Sequence, residues 1–189
     1  MSNYKIDFEI LVAPGLGSSG PIHWQTLWEK DNPEFKRIEQ NSWDAPICSD
    51  WISRIEEVIE KDKNVIIVAH SLACLALVHW AMKSSKPIKG ALLVAPPDSE
   101  KEDFPKEAKG FSPIPLYKLP FKSIVVGSTN DPYISIERCS FFADSWGSKF
   151  INVGSKGHIN SDSNLGSWSE GQNYLQDLIN EVNLDLRSF

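Results

Sequence analysis

Four stretches of the chain are apolar almost without a break: residues 8–13 (FEILVA), 65–69 (VIIVA), 91–95 (ALLVA) and 123–126 (SIVV). Short continuous runs rich in Val, Ile and Leu fit strands buried on both faces. Residues 149–153 (KFINV) give a fainter signal, and residues 35–40 fainter still, as expected of an edge strand. Between these runs the period changes. Trp51, Ile52, Ile55, Val58 and Ile59 recur at helical spacing, with Ser49 or Asp50 placed as the N-cap. Residues 72–82 are apolar nearly all round, which predicts a buried helix. Residues 134–143 predict a shorter one, and residues 22–29 follow Pro21, which suits a first helical turn. Near the end, Ser167 and Glu170 have capping-box spacing ahead of an apolar stripe, Tyr174, Leu175, Leu178, Ile179 and Val182.

This alternation predicts an α/β three-layer sandwich, with a mainly parallel sheet of about five to six strands and helices on both faces. Parallel strands need crossover connections, and right-handed crossovers place helices on both sides of the sheet. A length of 189 residues predicts one domain over residues 1–189. The longest aperiodic stretch is 96–120. A short helix could run over 100–109, where Pro105 interrupts it, and the stretch is too short for a large cap domain. The expectation is an open or lightly covered site.

Charge and cysteine content narrow the class. Nineteen basic against twenty-five acidic residues give a net charge of −6 with no basic cluster, which argues against nucleic acid as a partner. There is no run long and apolar enough to span a membrane. The start of the chain, with Asp7 and Glu9 among its apolar residues, does not read as a secretory signal. Cys48, Cys74 and Cys139 have no metal-ligand or redox spacing and read as reduced, packed thiols, so the expected location is cytoplasmic.

In parallel sheets ligands bind beyond the carboxyl ends of the strands, so the residues just past each strand end matter most. The first strand runs into PGLGSSGP, residues 14–21. Gly15, Gly17 and Gly20 spell G-x-G-x-x-G, but Pro21 comes at once and no acidic residue clearly ends the next strand, Glu39 being the nearest. No P-loop lysine is present either. A nucleotide cradle is therefore disfavoured, leaving an oxyanion-hole loop or a plain turn. Residues 65–69 lead into His70-Ser71-Leu72-Ala73 and the apolar helix. A serine at a sharp strand-to-helix turn has the setting of a nucleophile elbow: the turn exposes Oγ, and the N–H of Leu72 lies at the positive end of a helix. Ala69 and Ala73 stand where glycines are usual. The alternative is a helix-capping serine. Asp131 comes after the strand at 123–126, held in a loop by Pro132. His158 comes after residues 149–153 in the polar loop GSKGHIN.

Serine, aspartate and histidine thus fall at three strand ends on one edge of the sheet, in the α/β-hydrolase order Ser71, Asp131, His158. The other histidines read differently. His70 sits one residue from the elbow and His79 on the apolar helix, both structural. His23 and Trp24 open a helix, Trp24 being a candidate for the acyl pocket. Most of the seven tryptophans read as core.

With these motifs in view, the chain resembles the small α/β-hydrolase-fold serine hydrolases of the YdeN and retinoblastoma-binding-protein-9 type. The matching segments are VAPGLGSSGPIHWQTLWE, VIIVAHSLA, VVGSTNDPY and GSKGHIN, spread over residues 11–160. The resemblance implies Ser71 as nucleophile, His158 as base, Asp131 as the acid that orients it, and an oxyanion hole from the backbone N–H groups of Leu16 and Leu72. Gly15, Gly17, Trp24 and Pro96 are the candidate substrate contacts. The implied reaction is acyl transfer from a small ester, thioester or amide, carboxylesterase-like, without metal or organic cofactor. The partner is a small-molecule acyl substrate, and no protein partner is indicated. A hydrolase-fold binding module of low catalytic power is the second reading, left open by the two alanines at the elbow.

Overall fold

The computed structural model describes residues 8–187. Residues 1–7, with Asp7, lie outside the described residues. The chain alternates strands and helices except between β4 and β5, which no helix separates: β1 (Glu9–Ala13), α1 (Trp24–Asp31), β2 (Lys36–Arg37), α2 (Cys48–Val58), β3 (Val65–His70), α3 (Leu72–Ala81), β4 (Gly90–Val94), β5 (Lys122–Gly127), α4 (Ile136–Trp146), β6 (Lys149–Asn152) and α5 (Ser169–Arg187). The six strands form one sheet in the order β2-β1-β3-β4-β5-β6. Every neighbouring pair is parallel.

Side chains along a strand alternate between the two faces, and the sequence fills both. Leu11, Ile67, Ala69, Leu93 and Val125 face a core shared with α2, α3 and α4. Ile10, Ile66, Val68, Leu92 and Val126 face a second core with α1 and α5. This is why the central strands read as unbroken apolar runs. The tryptophans divide the same way. Trp51, Trp80 and Trp146 are buried in the first core, with Trp43 packed against it, and Trp24, Trp28 and Trp168 lie in the second.

The sheet order sets the position of the site. From β1 the chain moves outward to β2, then crosses back to β3 on the other side of β1. The strand order therefore reverses between β1 and β3. A crevice opens at their carboxyl ends, where Gly15 and Ser71 lie.

Several local expectations differ from the structure, each for a visible reason. Helix α2 begins at Cys48 with Ile47 at the cap position, ahead of Ser49 and Asp50. The Cys48 N–H is satisfied by the backbone carbonyl of Lys109, so no side-chain cap is required. Helix α1 begins at Trp24, not directly after Pro21, because His23 Nδ1 accepts the Gln25 N–H and ends the turn. The Ser167–Glu170 capping box does not form. Instead the Ser167 hydroxyl donates to Asp31 Oδ2 at 3.3 Å, and the Glu170 carboxylate accepts the Tyr174 hydroxyl. Residues 100–109 form turns and no helix. The 96–120 segment is held instead by buried Phe111, Ile114 and Leu119 and by Ser99 Oγ donating to the Phe111 carbonyl.

Candidate active site

The turn from β3 into α3 passes through Ser71 at φ 53°, ψ −126°. A left-handed φ is unfavourable for a residue with a Cβ, and such strain is of order 1–3 kcal/mol. The surroundings hold it in place. The Ser71 N–H donates to the Val94 carbonyl at 2.9 Å, its own carbonyl accepts the Cys74 N–H, and Ala69 and Ala73 are packed in the core. Gly15 closes the turn from the β1 side. A Cβ there would lie 2.7 Å from Ser71 Cβ and 3.0 Å from the His70 carbonyl. Only glycine permits this approach.

His158 reaches across from the loop after β6. Its Nε2 lies 2.8 Å from Ser71 Oγ. Its Nδ1 lies 2.8 and 3.0 Å from the two Asp131 oxygens. Facing a carboxylate, Nδ1 carries the proton, so Nε2 accepts the Ser71 hydroxyl. The Asp131 carboxylate is buried and also accepts the Tyr133 N–H at 2.9 Å. The acid and histidine loops are tied together. Asn130 Oδ1 accepts the Gly157 N–H at 2.7 Å, and Ser128 Oγ accepts the Lys156 N–H at 2.9 Å. The Tyr133 ring stands edge-on to His158, 4.5 Å between centroids.

Two more histidines line up behind His158. His70 Nε2–H donates to the His158 backbone carbonyl at 3.0 Å, and the two rings lie 5.1 Å apart. Burial pushes the His70 pKa well below the ordinary histidine value, with His23 and His158 adding to the effect. His23 lies 4.8 Å from His70. Burial, helped by the charge of Arg37, lowers its pKa to about 4. Because its Nδ1 accepts the Gln25 N–H, its proton sits on Nε2, which has no partner among the described residues. Both rings are thus neutral near pH 7.

The Leu72 N–H is the first of α3 and has no acceptor within the helix. The Leu16 N–H, next to Gly15, makes no hydrogen bond among the described residues. A cavity of about 210 Å³ lies over Ser71 and His158.

The structure thus brings Ser71, Asp131 and His158 together and sets Gly15 and Leu72 beside the serine. Leu16 lines the cavity and is 39% exposed. Three candidate substrate contacts fall elsewhere. Trp24 is buried in the second core, its indole N–H donating to the Ile159 carbonyl at 2.8 Å beneath the histidine loop. Gly17, at φ 73°, faces open space. Pro96 is buried, and the next residue, Pro97, lines the cavity. Asn130, Tyr133 and His70 act at the site through long-range contacts. For Asn130 and Tyr133 the only sequence signal was their place beside Asp131 in the segment NDPY.

The serine hydrolase family model matches residues 10–177. The chain belongs to this family. Among solved structures it is similar to a YdeN-like hydrolase from Pectobacterium atrosepticum, at 28% identity over 93% of this chain and 92% of that one, with a TM-score of 0.82. The ydeN gene product of B. subtilis is 15% identical, with 92% and 100% covered and a TM-score of 0.69. Est1E of Butyrivibrio proteoclasticus, solved with ferulic acid bound, is 11% identical, with 94% and 92% covered and a TM-score of 0.67. The last two likenesses show the α/β-hydrolase fold alone. No curated protein matches the chain in sequence. The fold is the YdeN-type α/β-hydrolase sandwich, with no large cap domain among the described residues.

Proposed function

We propose that this serine hydrolase cleaves a small ester, or a thioester or amide, through a Ser71–His158–Asp131 triad and an acyl-enzyme intermediate. The observation that carries the reading is the unbroken line of hydrogen bonds from Ser71 Oγ through His158 to Asp131, 2.8 Å at each end, anchored on a strained elbow. A serine used only to cap α3 would need neither the left-handed φ nor the aligned imidazole, and Ser71 makes no side-chain cap bond.

In this reading Ser71 Oγ attacks the substrate carbonyl carbon as its proton passes to His158 Nε2. The carbonyl π electrons move onto oxygen, and the oxyanion is received by the N–H groups of Leu16 and Leu72. One such donor is worth about 3–4 kcal/mol. The tetrahedral intermediate collapses, the bond to the leaving atom breaks, and His158 delivers its proton to that atom. Water then attacks the acyl-enzyme, giving its proton to His158, and the acid is released with Ser71 restored. Asp131 holds the Nδ1–H tautomer and stabilises the imidazolium formed in each half. The neutral His70 fixes the His158 backbone without adding a competing positive charge. Three unpaired, buried cysteines support a cytoplasmic place of action.

The test is pre-steady-state hydrolysis of p-nitrophenyl acetate. The reading predicts a burst of nitrophenolate stoichiometric with enzyme, absent in Ser71→Ala. Equal turnover by the variant would contradict it.

A further inference from the structure

The cavity over Ser71 has two chemically unlike walls, and the sheet determines which is which. On the face that carries α2–α4 the wall is apolar: Leu72, Pro97, Phe104, Pro105 and Ala108. Phe104 and Ala108 also pack against the core of that face. On the opposite face, where Ile159 is buried in the second core, the wall is Ser18, Asn160 and Ser161.

The polar wall holds hydrogen-bonding capacity that the protein does not itself use. Asn160 Oδ1 accepts the Asp162 N–H at 3.1 Å, while its Nδ2 donates to nothing among the described residues. Ser161 begins a short 3-10 helix, and its hydroxyl has no partner among the described residues. The apolar wall offers no such groups.

Chain continuity orients the substrate. His158 Nε2 must hand its proton to the leaving atom, so the leaving group lies alongside the residues just after His158, namely Asn160 and Ser161. The acyl group then points to the other face, toward Phe104 and Pro105. Size limits that group. Ligand pockets commonly measure about 300–1,000 Å³, and this one about 210 Å³.

From these walls we infer that the site takes an ester of a short apolar acid whose alcohol portion is polar and carries hydrogen-bond acceptors, as a polyol or hydroxy acid does. The inference rests on the catalytic reading of Ser71, His158 and Asp131.

The experiment pairs two substrate series with two variants outside the catalytic machinery. In the first series, p-nitrophenyl esters from acetate to decanoate, kcat/KM of the wild type peaks near butyrate and falls at least about tenfold by octanoate. Phe104→Ala moves the optimum to longer chains. In the second series, glyceryl monobutyrate is a better substrate than butyl butyrate. Ser161→Ala raises KM for the glyceryl ester about three- to tenfold, as loss of one hydrogen bond predicts, and raises KM for butyl butyrate less; equal effects on the two esters overturn the polar wall. A rate that rises steadily with chain length, a Phe104→Ala optimum that does not move, or a preference for butyl butyrate overturns the inference. Fluorophosphonate labelling of Ser71, run in parallel, separates the two levels. Labelled enzyme with the wrong preferences leaves the hydrolase reading standing and removes the substrate class. Folded enzyme that does not label removes both.

Discussion

Gly15→Ala perturbs the geometry of the elbow while keeping every triad side chain, its Cβ also coming within 3.3 Å of Ser71 Oγ. Its Cβ would lie 2.7 Å from Ser71 Cβ and 3.0 Å from the His70 carbonyl, where ordinary contact begins near 3.4 Å. Both obstacles belong to the elbow itself, so no flexible side chain can turn aside. Relief requires roughly 0.4–0.7 Å of movement, either of Ser71 away from His158 or of the β1 loop that carries the Leu16 N–H. Misplacement by about 1 Å costs about a hundredfold in rate. The expected loss is therefore about 10- to 100-fold in kcat, or about 1.4–2.7 kcal/mol of barrier. Gly20→Ala is the matched control, since a Cβ at Gly20 meets nothing within 4 Å. The assay is kcat and KM on p-nitrophenyl butyrate for both variants, with thermal unfolding to show that each is folded. A folded Gly15→Ala enzyme within twofold of wild-type kcat refutes the argument that this approach sets the nucleophile.

Three other perturbations probe the residues around the serine. Asp131→Asn keeps the shape of the side chain but no longer favours the Nδ1–H tautomer, so kcat falls by about 10³–10⁴ with the fold retained, as read by ester kinetics and circular dichroism. His70→Leu removes the donor to the His158 carbonyl and lowers kcat about tenfold with little change in KM. His70→Gln, which keeps an N–H donor, recovers most of that loss, and equal defects in the two would point to packing alone. Acid should weaken the fold through His23 and His70. Both are held neutral in the native state, His23 at about 4 against 6.5 when unfolded. The unfolded chain therefore binds more protons between about pH 4 and 6.5, and stability is full above that window and lost as pH falls through it. Urea titrations should show about 2 kcal/mol lost from His23 alone between pH 7 and pH 5, with His70 adding to it.

The sheet was legible because β1, β3, β4 and β5 are buried on both faces along nearly all their length and so carry few polar residues. Helix α3 was legible for the same reason, lying wholly within one core. Where local capping signals were read, tertiary contacts overrode them. The Lys109 carbonyl met the first N–H of α2, and Asp31 took the Ser167 hydroxyl ahead of α5. The order of Ser71, Asp131 and His158 along the chain pointed to one edge of the sheet, because a parallel sheet sends all its strand ends the same way. The contacts that align them were not legible. The Asn130–Gly157 and His70–His158 bonds join loops 27 and 88 residues apart. Trp24 was misplaced because an aromatic side chain after a glycine loop has the same pattern whether it faces a cavity or, as here, supports the histidine loop from below. At Pro96 the difference was one residue, the distance by which successive side chains change direction.

The central claim is that Ser71 is an activated nucleophile in the folded protein. Intact-mass analysis after incubation with a fluorophosphonate probe, on wild type and Ser71→Ala, tests it most directly. The account predicts a single adduct on the wild type and none on the variant. Folded wild-type protein that stays unmodified, or a variant that labels equally, would contradict it.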